Sequence, residues 1–184
     1  MFETFRARAE AVSAEVRRVA TRAEALEVVL GVLRDAGVGE GAGEGAVWAE
    51  GPFLAGLDEG SLARRVPGLT FEVTREAAAA ARVGVTEMDF AVANTGTLAQ
   101  AADDPAQRLA STLPAIHVAL VPADRMVADL GELFARLGPA RSRYLALVTG
   151  PSRTADIERV LTIGVHGPAR LVIVVVDDLQ GRIP

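Results

Sequence analysis

Residues 171–176, Leu171-Val172-Ile173-Val174-Val175-Val176, decide the fold. Six apolar residues follow one another with no polar interruption, so a strand formed here must be covered on both faces. Strands of parallel sheets, sandwiched between helical layers, meet that condition. The same alternation of strand and helix recurs on working backward from this run. Tyr144 to Val148 is an apolar, strand-like run that ends at Gly150-Pro151. Ser152, Arg153, Thr154 and Asp156 then open a helical pattern over 154–163, which stops at Gly164. The glycine turn Gly164-Val165-His166-Gly167-Pro168 leads into the 171–176 strand. Further back, Ala115–Val121 reads as a strand and Met126–Leu137 as an amphipathic helix ended by Gly138-Pro139.

The first half follows the same plan. Ala46–Ala49 and Phe71–Val73 are short strands, residues 53–66 mix loop and helix, and the alanine-rich stretch Arg75–Arg82 is helical. Phe90 to Ala101 reads as a β-hairpin bent at Asn94-Thr95-Gly96-Thr97. Phe2, Phe5, Ala9, Val12, Val16 and Val19 are spaced three and four apart, as on one face of a helix. Thr21-Arg22-Ala23-Glu24 is a capping-box pattern that starts a second helix through Leu26, Val29, Leu30 and Leu33 to Gly37. Residues 37–45 are glycine-rich and read as a surface loop. The expectation is a single domain over residues 1–184, a three-layer α/β/α sandwich with a mainly parallel sheet, preceded by a helical region at 1–36. The first apolar stripe either packs on that domain or pairs two chains as a homo-oligomer.

Composition excludes whole classes of chemistry. The chain has no cysteine, hence no disulfide, no thiolate nucleophile and no thiolate ligand for an iron–sulfur cluster. All 19 basic residues are arginine, which removes Schiff-base chemistry and a phosphate-loop lysine. A net charge of −5, with arginines interleaved among acids, argues against a nucleic-acid partner. No apolar run approaches the roughly 20 residues of a membrane span, and no leader pattern is present, so a cytoplasmic location is expected. Two isolated histidines with no carboxylate cluster between them give no metal signature.

The candidate site is the pair of glycine bends. A helix starting at Ser152 would leave amide N–H groups for a small carboxylate or a phosphate-bearing ligand. Gly150, Ser152, Arg153, Thr154, Asp156, His166 and Gly167 would form one side of it. Asn94, Thr95, Gly96 and Thr97 would form the other, because both bends follow strands and ligands gather at the carboxyl ends of strands. Arg108 is either an anion contact or an ordinary helix-surface arginine. His166, between glycines, is the candidate catalytic acid or base, against the alternative of a turn histidine bonded to backbone. Ser152, His166 and Asp156 include the residue types of a nucleophilic triad, but the serine is not in a GxSxG setting and reads as a cap or ligand donor. His117, inside its strand, reads as a satisfied interior or edge residue. Asp103-Asp104 before Pro105 reads as a helix start. Asp89 is expected to brace a loop at Gly84-Val85-Thr86, and Glu87 is a minor candidate base.

Three segments resemble the lactate utilisation protein C family, also called the LUD domain. They are VTEMDFAVANTGT at 85–97, RLASTLPAIHVALVP at 108–122 and GPSRTADIERVLTIGVHGP at 150–168. The resemblance implies the fold of sugar-phosphate isomerases and coenzyme A transferases (NagB/RpiA/CoA transferase-like). It also implies a role in oxidising L-lactate to pyruvate beside iron–sulfur partner subunits, with no cofactor on this chain. A chain without cysteine is consistent with that division of labour. Where the family commonly has Glu-Thr-Gly-Thr, this chain has Asn94-Thr95-Gly96-Thr97. Asn94 cannot ionise, so a covalent transferase step through residue 94 is excluded. Two alternatives stay open: a non-catalytic assembly subunit, and an isomerase or coenzyme A-ester enzyme using His166 with Glu87 or Asp156.

Overall fold

The first helix stops at Ala11, not at Val19. Ser13 takes a left-handed φ of 71° there, and the chain then extends into a strand. The computed structural model describes residues 1–39, 41, 44–137, 143–155, 161–163 and 166–178. In chain order the elements are α1 (Phe2–Ala11), β1 (Glu15–Thr21), α2 (Arg22–Asp35), β2 (Gly45–Trp48), α3 (Glu59–Arg65), β3 (Leu69–Thr70), α4 (Arg75–Ala80), β4 (Ala81–Glu87), β5 (Phe90–Val92) and β6 (Thr97–Ala101). There follow α5 (Pro105–Thr112), β7 (Ile116–Pro122), β8 (Met126–Val127), α6 (Leu130–Leu137), β9 (Leu145–Val148), β10 (Arg153–Ala155), β11 (Leu161–Ile163) and β12 (Arg170–Asp178). Single 3-10 turns sit at Pro52–Leu54 and Ala123–Arg125.

Six strands form one sheet in the order β1-β12-β7-β4-β2-β3, and every neighbouring pair in it is parallel. The 171–176 run is an interior strand of it, flanked by β1 and β7, and its six side chains are at most 1% exposed. Burying each of these is worth roughly 1.5–3 kcal/mol. Alternate residues face opposite layers. Val172, Val174 and Val176 join Val118 and Leu120 against Val29, Leu30 and Leu33 of α2. Leu171, Ile173 and Val175 join Ala119 and Val121 against Phe5 and Ala9 of α1 and Ala91 and Leu98 of a second sheet. That second sheet is mixed, in the order β8-β5-β6-β9, with the expected antiparallel hairpin of β5 and β6 at its centre. The molecule is thus a three-layer α/β/α structure with a parallel main sheet.

Several boundaries differ from the sequence reading. The 1–36 region is not all helical, because β1 pairs with β12 inside the main sheet. The second helix does start where the capping box places it: Thr21 Oγ1 accepts from the Glu24 amide, and Glu24 Oε2 accepts from the Ala20 amide at 2.8 Å. The alanine-rich helix ends at Ala80, and Gly84-Val85-Thr86, read as loop, lies within β4. Gly84 is required there because α5 crosses so closely that a Cβ would lie 2.8 Å from the Ala110 carbonyl carbon. The third short strand forms at Leu69–Thr70 rather than Phe71–Val73, pairing with Ala46 and Val47. Met126 and Val127 are a strand, and the helix begins only at Leu130.

The largest correction concerns 154–163. Arg153–Ala155 and Leu161–Ile163 are extended and pair antiparallel, Arg153 opposite Ile163 and Thr154 opposite Thr162. β-branched Thr154, Thr162 and Ile163 favour extended backbone, and hairpin pairing overrides the helical spacing. Asp156, with residues 157–160, lies outside the described residues. A helix N-terminus at Ser152–Thr154, the basis of the amide anion site, is not formed. The Ser152 amide instead donates to Pro168 O at 2.8 Å.

Candidate functional site

The two glycine bends do meet. Thr97, at the end of the hairpin bend, and Thr149, before Gly150, share a hydrogen bond of 2.8 Å between their hydroxyls. Both bends also press on the end of α1. Gly96 (φ 67°) and Gly150 (φ 73°) are left-handed, where other residues are strained. A Cβ on Gly96 would lie 2.8 Å from Ala9 Cα, and one on Gly150 would lie 2.5 Å from Val12 O. Arg153 completes the clasp, donating to Val12 O at 2.6 Å and to Ser13 Oγ at 3.0 Å. Val12 O is one of the carbonyls a helix end leaves without a helical partner, so a guanidinium there satisfies it.

Behind the clasp lies a pocket of about 360 Å³. Gly150, Ser152, Arg153, His166 and Gly167 all line it, so five of the expected ligand-binding residues converge. The 150–153 turn and the 166–168 turn are held together by the Ser152–Pro168 bond. Gly167 allows the approach, because a Cβ there would meet Ser152 Cβ at 3.0 Å. His166 is exposed at the pocket's rim. Asn94, Thr95 and Thr97 do not line this pocket. Asn94 is exposed and its amide donates to Ala128 O, while Thr95 Oγ1 is buried without a partner. Arg108 is tied to the start of its own helix. It donates to Ala102 O and Asp103 O, and its guanidinium stacks 4.7 Å from the Tyr144 ring centroid. Asp104 caps α5 as expected, and Asp103 Oδ1 accepts from the Arg143 and Tyr144 amides.

Among the residues lining the pocket that were not expected site residues, one is titratable. His117, on β7 between Gly84 of β4 and Leu171 of β12, is 1% exposed and lines the same pocket. Its Nε2 lies 2.8 Å from Thr86 Oγ1, and its Nδ1 is buried with no partner. Burial without a counter-charge lowers its pKa from 6.5 to about 4, so the ring is neutral at pH 7. Thr86 also lies within donating distance of Met88 Sδ, at 3.5 Å. If the threonine proton goes to His117 Nε2, Nδ1–H is a donor; if it goes to sulfur, Nδ1 is a bare acceptor. A buried imidazole with one nitrogen unsatisfied calls for a partner. The signal in the sequence was a pair of polar residues, Thr86 and His117, each inside an apolar strand. Only register between β4 and β7 reveals that they touch.

A larger crevice, about 510 Å³, opens at the carboxyl ends of β1, β4, β7 and β12. Arg22, Glu87, Asp89, Asp124, Arg125, Asp177 and Asp178 line it. Glu87 Oε2 accepts from the Phe53 amide at 2.7 Å, and Asp89 Oδ2 accepts from the Ala101 amide at 2.6 Å. Asp89 therefore braces β6 rather than residues 84–86. Burial pushes both carboxyls above their ordinary range, with Asp89 adding to the rise at Glu87 and the two amide bonds opposing it. Among the described residues no group of three or more His, Cys, Asp or Glu side chains is placed to hold a metal ion. No helix among them is long and apolar enough to cross a membrane.

Comparison with known proteins places this arrangement. A crystal structure of a DUF162 family protein from Deinococcus radiodurans superposes with a TM-score of 0.64 over 95% of each chain at 22% identity, a likeness of fold. Lactate utilization protein C of Macrococcus caseolyticus is 36% identical over 104 residues, which is 53% of this chain and 45% of that protein. The protein of that name from an Exiguobacterium species is also 36% identical, over 59% of this chain and 50% of its own length. The one from Anoxybacillus flavithermus is 31% identical over 70% of this chain and 64% of its own. The chain thus spans about half the length of the first two of these relatives. The LUD domain family model matches residues 2–176, end to end across the three layers and both glycine bends, and the chain belongs to the LUD domain family.

Proposed function

We propose that this chain serves a lactate-utilisation system and that the pocket over His117 holds a small carboxylate. The observation that carries the reading is the unpartnered Nδ1 of a fully buried, neutral histidine lining the pocket in which Gly150, Ser152, Arg153, His166 and Gly167 converge. The names of the relatives support the pathway, and the chemistry of the pocket supports the ligand class. A 2-hydroxycarboxylate offers both a hydroxyl donor and carboxylate acceptors, so it satisfies His117 in either tautomer. Ser152 Oγ can donate to the same carboxylate, and Arg153, at the rim, contributes positive potential while fastening α1. Binding therefore rests on side chains rather than on a helix N-terminus. With no cysteine in the chain, iron–sulfur chemistry in such a system falls to partner subunits.

Calorimetric titration with lactate and with pyruvate tests this. Loss of a hydrogen bond to a charged ligand is worth roughly 1.5–3 kcal/mol, so Ser152→Ala and His117→Leu should each weaken lactate binding about tenfold or more. Equal affinity in both variants, or no heat with either acid, would remove the pocket from the proposal.

A further inference from the structure

Beside the carboxyl-edge crevice is a smaller cavity, about 120 Å³, that shares Pro52, Glu87 and Asp89 with it. Gln100 of β6 lines this cavity and is 3% exposed. Its Nε2 is committed twice, to Glu87 O at 2.6 Å and to Gln107 Oε1 at 2.7 Å. These two acceptors fix which end of the amide is nitrogen, and they leave Gln100 Oε1 buried without a partner. Gln107 is fixed in turn, its Nε2 donating to Glu50 O at 2.6 Å, so it has no donor left on that side to offer Gln100 Oε1. Three elements thus present acceptors to one small space. Glu87 uses Oε2 on the Phe53 amide and Asp89 uses Oδ2 on the Ala101 amide. Each retains its other oxygen.

We propose that this cavity binds the primary ammonium group of a small organic amine, with the rest of the molecule lying in the adjoining crevice. An ammonium group carries three N–H donors, and Glu87 Oε1, Asp89 Oδ1 and Gln100 Oε1 are three acceptors that lack other partners. The wider crevice has the matching sign: five carboxylates line it against two arginines, and with Asp177 paired to Arg18 at 2.8 Å the lining remains net negative. Burial raises both carboxyls despite the charges of Arg22 and Arg125, so a further cation between them favours their ionised forms. Among the described residues no group of three or more His, Cys, Asp or Glu side chains is placed to hold a metal ion, and a cation that donates hydrogen bonds uses all three of these oxygens. This site lies at the opposite end of β4 and β7 from the His117 pocket, and it stands or falls independently of the carboxylate proposal.

Calorimetry on the whole chain with 1,4-diaminobutane and propylammonium, against tetramethylammonium and propan-1-ol as controls, tests it. The first two should bind with dissociation constants of about 1 mM or tighter. Tetramethylammonium, a cation with no N–H, and the uncharged alcohol should bind at least tenfold more weakly. Asp89→Asn retains an acceptor for the Ala101 amide, and Glu87→Gln retains one for the Phe53 amide. Each should reduce amine affinity about tenfold without lowering the melting temperature, and Gln100→Met should reduce it further. Three results would overturn the proposal: no heat with either amine at about 10 mM, tetramethylammonium bound as well as propylammonium, or unaltered amine binding in both carboxamide variants.

Discussion

An imidazole buried between Gly84 and Leu171 is shielded from the solvent that would stabilise its proton, and the pH dependence of stability follows from that. His117 titrates near pH 4 when folded and near its ordinary 6.5 when unfolded. Between these values the unfolded chain binds a proton that the folded chain does not, so stability falls as pH drops from 6.5 toward 4 and is unaffected above that window. Between pH 7.5 and 5 the loss from this residue is about 2 kcal/mol. Glu87 and Asp89, with raised folded values, act in the opposite sense, favouring the folded state as they take up protons. Urea unfolding of the wild type and His117→Leu at several pH values separates the two: the variant should lose the acid-side decline, and parallel curves would contradict a neutral buried His117. The residue itself could be seen in the sequence but not its importance, because a histidine in an apolar strand looks the same whether its second nitrogen is satisfied or not.

At the scale of elements, the clasp on α1 makes its own predictions. Gly96 and Gly150 combine a left-handed φ with backbone of α1 where a Cβ would stand. Gly96→Ala and Gly150→Ala should each destabilise by about 2 kcal/mol or more, combining conformational strain with a clash that only movement of α1 relieves. Arg153→Ala should cost about 1 kcal/mol, since its bonds to Val12 O and Ser13 Oγ are exposed. Thermal unfolding checks all three, and a Gly150→Ala protein as stable as wild type would show that α1 is not clasped. Both bends were legible as glycine turns, and the hairpin between β5 and β6 was legible in full. The end of α1 was not. Val12, Val16 and Val19 keep helical spacing into β1, an edge strand whose arginines remove the alternation that would mark it. The break comes at Ser13, without glycine or proline to announce it. Helical spacing likewise concealed the β10–β11 hairpin, since local periodicity carries no information on cross-strand pairing.

For the whole molecule, the run 171–176 was sufficient to indicate a parallel sheet between two layers, and the chain builds its largest core around it. Amide exchange should be slowest in β12 and β7, which have neighbours on both sides, and faster in the edge strand β1. Uniform protection across the sheet would contradict that ranking. The five expected residues that line one pocket all come from the 150–167 side of the expected site. The 94–97 bend does reach that side, through paired hydroxyls of Thr97 and Thr149 on the end of α1, but it does not line the pocket, and a buried histidine stands there in place of free amides. The most direct test of that pocket uses the fact that the chain has two histidines. A long-range proton–nitrogen NMR spectrum resolves their four ring nitrogens with and without lactate. His117 Nδ1 is expected to shift on saturation with lactate while Nε2 keeps its bond to Thr86. An unmoved His117 in the presence of saturating lactate, or a shift confined to His166, would contradict it.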